Sequence, residues 1–285
     1  MFKRQTSGSI VCPSCSQLVS VKIKICPNCQ YKNPGLWGYG KALKKLGTDF
    51  GFTLIIIWGC ITLYLASLLI DPGGISSNST IGLLSPSSRS TIILGATGAI
   101  PVFSLGRWWT VFTSPWLHGG LFHIAFNLLW IRELAPLVAR FYGSGRLIII
   151  YTISGATGSL LTSMAGEYFG IFPSIFHGAK LAIGASGGLF GLFGALVAYG
   201  NITGDGVIRE KYWILAIVFF FLGFLTPNID NWGHLGGFLG GYTISQFSWF
   251  DPSVKETQNH LLLGLACVVI TILSLVTSVI HIFLL

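Results

Sequence analysis

The sequence predicts an all-α polytopic membrane protein, a bundle of seven transmembrane helices with a small metal-binding ribbon at its N-terminus. Three observations carry this reading. Only 9% of the 285 residues are charged and 52% are apolar, whereas a soluble domain carries about a quarter charged residues. The apolar residues fall in runs of bilayer-spanning length, for which about 20 residues suffice, and mean hydropathy is +0.72. Four of the six cysteines lie ahead of the first such run, as two C-x2-C pairs. Composition therefore excludes secreted and soluble cytosolic classes.

The head comes first. Cys12-Pro13-Ser14-Cys15 and Cys26-Pro27-Asn28-Cys29 are separated by ten residues. Four thiolates close a tetrahedral site around Zn2+, and each C-P-x-C turn presents two sulfurs. Between them, residues 18–25 alternate apolar and polar side chains as in a short hairpin. The pattern reads as a zinc ribbon over residues 1–35, with a structural Zn2+ on Cys12, Cys15, Cys26 and Cys29. A head this small buries little apolar surface, so the metal supplies part of its folding free energy. Iron in a rubredoxin-like site and a redox role are alternatives. A pair of disulfides fits a reducing compartment poorly. Residues 36–50 form a basic interfacial linker, in which Trp37 and Tyr39 suit the membrane interface and Lys41, Lys44 and Lys45 suit an anionic inner leaflet.

Seven apolar runs follow, at 51–70, 119–139, 146–165, 183–200, 212–226, 232–249 and 261–284. A stretch at 92–103 is too short to span and contains Pro101, so it belongs to a loop or a re-entrant segment. The N-terminus opens with cysteines and basic residues, not a cleavable apolar stretch, and the first span is expected to serve as an uncleaved anchor. Cys60 and Cys267, inside spans, read as small apolar fillers.

Lys and Arg set the orientation. With the N-terminus in the cytoplasm, 14 of the 17 basic residues fall inside, and only Arg89, Arg107 and Lys180 outside. The C-terminus then lies outside. The net charge of +8 is mostly this topology signal. Basic residues spread over the inner face in this way argue against nucleic-acid binding.

Polar residues within spans are costly and mark function. The second span opens with Leu117-His118-Gly119-Gly120-Leu121-Phe122-His123-Ile124-Ala125-Phe126-Asn127, in which His123 and Asn127 share one helix face. The fourth opens with Gly184-Ala185-Ser186-Gly187-Gly188, and the sixth contains Asn231-Trp232-Gly233-His234-Leu235-Gly236-Gly237. All three spans run from outside to inside, so these groups share one depth, roughly 8–14 Å below the outer surface at about 1.5 Å per residue. Glycines at 184, 187, 188, 191 and 194 and at 233, 236, 237, 240 and 241 let helix backbones approach closely in lipid. If the two stripes face each other, His234 comes within reach of the Ser186 hydroxyl and serves as its base. His123, Asn127 and the Ser186 N–H would then stabilise an oxyanion. No carboxylate is available at that depth. Asp230 sits near the water boundary as a cap, and a Ser-His dyad is the simpler arrangement. Each piece alone has a plainer use in helix packing or interhelical bonding.

The runs G-A-S-G at 184–187, H-G-G-L-F-H-I-A-F-N at 118–127 and G-H-L-G-G-F-L-G-G at 233–241 resemble the rhomboid family of intramembrane serine proteases, in order, spacing and topology, across roughly residues 50–250. The resemblance implies a rhomboid-like six-helix bundle at 51–250, with a cytoplasmic loop and a seventh helix appended at 251–285. It implies Ser186 as nucleophile and His234 as base. The oxyanion site would come from His123, Asn127 and the Ser186 amide, with Gly184 supporting and His118 more structural. No cofactor is implied for catalysis. Substrates of such proteases are single transmembrane segments, cut near small or helix-weakening residues and admitted past the fifth span. Two departures stand out. Many members carry Trp-Arg in the first outer loop, where this chain has Trp109-Thr110 with Arg107 upstream. Many place Tyr four residues after the serine, where this chain has Phe190.

The expected function is thus serine endopeptidase activity on transmembrane protein substrates within the lipid bilayer. The alternative is a non-catalytic rhomboid-like protein that binds membrane clients, against which the intact Ser186/His234 pair counts. A transporter or channel is disfavoured because the polar residues stop at one depth. The ribbon would serve to recruit a cytoplasmic partner or to regulate the protease. The cell membrane is the expected location. Asn78-Ser79-Thr80 fits a glycosylation pattern that has meaning only in a eukaryote.

Overall fold

The computed structural model describes residues 3–13, 15, 17–41, 49, 51–77, 82–170, 177–226 and 229–284. Lys44, Lys45 and the Asn78-Ser79-Thr80 pattern lie outside the described residues. In the head, β1 (Ser9–Val11) pairs antiparallel with β2 (Leu18–Ser20), Ile10 opposite Val19. The hairpin therefore encloses the first cysteine pair instead of lying between the two pairs over 18–25. The reason is local. The Cys12 N–H donates to the Gln17 carbonyl (2.8 Å) and the Cys26 N–H to the Tyr31 carbonyl (2.9 Å), so each C-P-x-C run is itself a turn. The bridge between Ile25 and Lys32 brackets the second turn as the strands bracket the first.

The long helices follow the apolar runs. They are α1 (Phe52–Ile70), α4 (Leu121–Tyr142), α5 (Ser144–Tyr168), α6 (Ser186–Thr203), α7 (Gly206–Leu225), α8 (Asn231–Ser245) and α9 (Gln258–Leu284). Between α1 and α4 the chain makes two short helices, α2 (Ser88–Ile93) and α3 (Thr110–Thr113), and a single wide turn at Ile100–Ser104. The stretch at 92–103 thus holds the end of α2, a loop and most of this turn. Helix starts follow capping chemistry. Asp205 accepts from the Ile208 N–H at 3.0 Å and starts α7 six residues before the apolar run at 212. Asp230 accepts from the Gly233 N–H at 2.9 Å and starts α8.

Four of these helices, Phe52–Ile70, Leu121–Tyr142, Ser144–Tyr168 and Gln258–Ile282, are long and apolar enough to cross a membrane by length and composition alone. The other three work differently. In α6, every residue from Gly187 to Ala198 is buried, which marks a helix surrounded by others. It packs against α8, α5, α7 and α4. At 15 residues, α8 rises only about 22 Å, short of a hydrocarbon core of about 30 Å. The α6–α8 contact is made by the two glycine stripes. A methyl on Gly237 would collide with the Gly187 carbonyl, one on Gly241 with that of Gly191, and one on Gly194 with that of Phe238. By contrast, α7 presents Trp213, Ile214, Val218, Phe221, Leu222 and Leu225 outward and touches α8 only lightly.

Candidate active site

Ser186 is the first residue of α6, where backbone N–H groups have no carbonyl one turn back to bond. Its neighbours fix it from both sides. Gly184, two residues earlier, has φ +143, a backbone conformation that favours glycine. A side chain there is also blocked, since a methyl would stand 2.9 Å from His123 Nε2 and 3.6 Å from Ser186 Oγ. His123 Nε2 and Ser186 Oγ therefore flank one small space beside the N-terminus of α6. The Gly184 N–H donates to the Ser114 carbonyl at 3.0 Å. Thr97 and Ala182 exchange two backbone bonds of 3.0 and 2.7 Å, so the segment leading to Ser186 is stitched to the first outer loop.

His234 lies one turn into α8, buried, with its ring stacked on Phe190 at 4.1 Å between centroids and 11° between planes. The backbone beside it meets the backbone beside Ser186, for a methyl on Gly187 would lie 3.4 Å from the Gly233 carbonyl oxygen. His234 Nδ1 is buried without a hydrogen-bond partner among the described residues.

The Gly119 N–H donates to His123 Nδ1 at 3.3 Å. A nitrogen that accepts carries no proton, so in the neutral ring the proton sits on Nε2, the atom that faces the Gly184–Ser186 space. Asn127 is buried one turn further on, and its Nδ2 donates to the His123 carbonyl at 2.9 Å. The second N–H of that amide is left for another acceptor. His118 is fully buried, its ring edge-on to His123 at 5.2 Å. Ser186, His234, His123, Asn127, His118 and Gly184 are thus gathered at one end of the bundle, among α4, α6 and α8.

In the head, the four cysteine sulfurs lie within 4.8 Å of one another, with Cys12–Cys29 and Cys15–Cys26 at 3.7 Å each. Disulfide sulfurs sit about 2.05 Å apart. Sulfurs bound tetrahedrally to one ion at about 2.3 Å stand about 3.8 Å apart, so the cluster fits a metal ion. A hydrogen bond from the Asn28 side chain, with one from the Gln17 backbone, lowers the Cys15 thiol to about 6, toward the ligating thiolate. Tyr31 is pushed up to about 12, first by burial and then by the charge of Glu256.

The Rhomboid domain family model matches residues 105–249. The chain belongs to the rhomboid family. It is 33% identical over 167 residues to RHOMBOID-like protein 1 of Arabidopsis thaliana, covering 57% of this chain and 40% of that protein. It is 38% identical over 165 residues to Rhomboid protease GluP of Bacillus subtilis, covering 54% and 29%. It is 31% identical over 180 residues to Inactive RHOMBOID-like protein 8 of Arabidopsis thaliana, covering 61% and 48%. The matched region spans less than two thirds of the length of these relatives. Family and apolar helices together make this rhomboid a multi-pass membrane protein, and the four-cysteine cluster gives it a head suited to metal binding.

Arg107, displaced from the usual Trp-Arg pair, is fully buried and spans the loop all the same. Its Nη1 donates to the Ile92 carbonyl at 2.9 Å and its Nη2 to the Ser278 carbonyl of α9 at 3.0 Å. Sequence reasoning missed Ser278 and Ser114, ordinary serines with no spacing or motif to single them out.

Proposed function

We propose that this rhomboid is an intramembrane serine endopeptidase that hydrolyses peptide bonds in or near transmembrane segments of other membrane proteins. The observation that carries the reading is the placement of His123 Nε2 and Ser186 Oγ around one space, with His234 held on Phe190 beside the same helix turn. Relatives named as rhomboid proteases support it. In this reading Ser186 attacks the scissile carbonyl carbon while His234 takes the hydroxyl proton. The oxyanion receives the His123 Nε2–H, the free Asn127 N–H and the Ser186 backbone N–H, aided by the positive end of α6. His234 then returns its proton to the leaving amine, and water repeats the cycle on the acyl-enzyme. His118 packs behind His123, and Gly184 keeps the space open.

The side of α7 that touches α8 only lightly is the one from which a substrate helix enters. Phe219 of α7 meets Phe126 and Trp130 of α4 at 5.6 and 5.0 Å, an aromatic seam that parts without breaking a hydrogen bond. Residues 1–35 form the head, 36–50 the linker, 51–250 the protease core and 251–285 the last loop and helix. The head holds a structural Zn2+ on Cys12, Cys15, Cys26 and Cys29, since a tetrahedral thiolate set suits zinc. It faces the cytoplasm with the N-terminus, the C-terminus lies outside, and the cell membrane is the location.

The test is labelling by a fluorescent fluorophosphonate in liposomes. Wild-type protein should label, Ser186→Ala should not, and His234→Ala should label more slowly. A wild-type protein that neither labels nor cleaves any transmembrane reporter would move the assignment to the client-binding alternative, a reading favoured by the relative named inactive.

A further inference from the structure

The seventh helix packs against α5, α3 and α2, and so reaches the outer loop that is bonded to the segment before Ser186. Ser278 of α9 is fully buried. Its carbonyl accepts from Arg107 and its Oγ accepts from Trp109 Nε1 at 3.0 Å. Arg107 and Trp109 lie just before α3, and the Thr110 hydroxyl donates back to the Arg107 carbonyl at 2.8 Å. At the other end of α3, the Ser114 carbonyl accepts the Gly184 N–H. A second contact runs in parallel. Leu275 and Val279 of α9 pack on a buried cluster of Leu94, Ala96 and Leu117, against which Leu181 and Ile183 also pack. Two independent routes therefore connect one face of α9 to residues 181–184, just before Ser186.

We propose that α9 is a positioning element for the dyad, acting through Ser278 on Arg107 and Trp109, with these three as positioning residues. The proposal rests on reading Ser186 as the nucleophile. A cation with its guanidinium on two backbone carbonyls, one of them in α9, has no other place to go when the helix shifts, because burial without partners is costly. Movement of α9 thus carries α3, Ser114 and the Gly184 amide with it, and a 1 Å displacement of a reacting group is enough to slow chemistry by about 100-fold.

The experiment uses the full chain in liposomes and the variants Ser278→Ala, Trp109→Phe and Arg107→Gln. Deuterium exchange of the Thr97, Ala182 and Gly184 amides reports the outer loop directly. Fluorophosphonate labelling and the split between kcat and KM report the dyad. Ser278→Ala and Trp109→Phe remove the same bond, so each should speed exchange and lower kcat by about 10-fold, as one hydrogen bond allows, with KM nearly unchanged. Their double variant should be no worse than either single one. Unchanged exchange at these amides overturns the proposal, as does a lowered melting temperature with exchange and kcat intact. Should Arg107→Gln fail to fold, the other two variants decide. If wild-type protein neither labels nor cleaves, the protease reading falls, while the exchange comparison still decides whether α9 positions the Ser186 segment.

Discussion

The imidazole of His234 lies flat against the phenyl ring of Phe190, 4.1 Å between centroids and 11° from parallel. Phe190 stands one turn after Ser186 on α6, so the stack sets the ring of α8 against the helix that begins with Ser186. Phe190→Leu stays apolar but loses the flat wall. It is expected to lower kcat about 2- to 10-fold with protein still folded, since such a ring contact is worth about 0.5–1.5 kcal/mol. Phe190→Tyr keeps the wall and should retain most activity. Cleavage of a transmembrane reporter in liposomes measures both, and full activity in Phe190→Leu would show that the stack does not orient His234.

Asn127 has one amide N–H committed to the His123 carbonyl and one to spare. Asn127→Ala should slow cleavage by about 10- to 1000-fold if the spare N–H meets the oxyanion. Because the committed bond lies within one helix, the melting temperature should change little. Unchanged turnover would take Asn127 out of that role.

The α6–α8 contact leaves no room for a side chain. Gly237→Ala would drive a methyl into the Gly187 carbonyl, one residue from the nucleophile. The expected cost is about 1–3 kcal/mol of stability, typical of overpacking a tight contact, together with slower labelling of Ser186. Gly73→Ala is the control, because a methyl there meets nothing within 4 Å. Equal melting temperatures and labelling rates for the two variants would refute the close approach.

Stripping the metal with a chelator should open the head to trypsin at its exposed lysines, since the metal is folding free energy in a unit this small. Cys15→Ser should do the same without chelator. The membrane core, whose buried clusters are its own, should keep labelling with fluorophosphonate. Loss of labelling on metal removal would instead show that head and core are coupled.

Much of this fold is legible in the sequence because a bilayer leaves few choices. Every backbone polar group in hydrocarbon must bond within its own segment, so the apolar runs have to be helices; α7 starts six residues ahead of its run because Asp205 caps it there. The cysteine spacing reveals the four-sulfur cluster for a similar reason, since ligand geometry is local. The hairpin lies elsewhere than the alternation at 18–25 suggests, because strand pairing over three residues depends on where each turn closes, and alternation does not encode that.

From residue types and spacing alone come the seven long helices, the four-sulfur head and the expectation that Ser186, His234, His123 and Asn127 meet at one depth. These depend on distances along the chain, which helix rise converts to height. Tertiary structure alone decided which ring His234 rests on, which His123 nitrogen faces Ser186, and that Arg107 finds its partner 171 residues away on α9. Those relations are set by rotation and lateral packing of whole helices, which short-range sequence pattern does not carry.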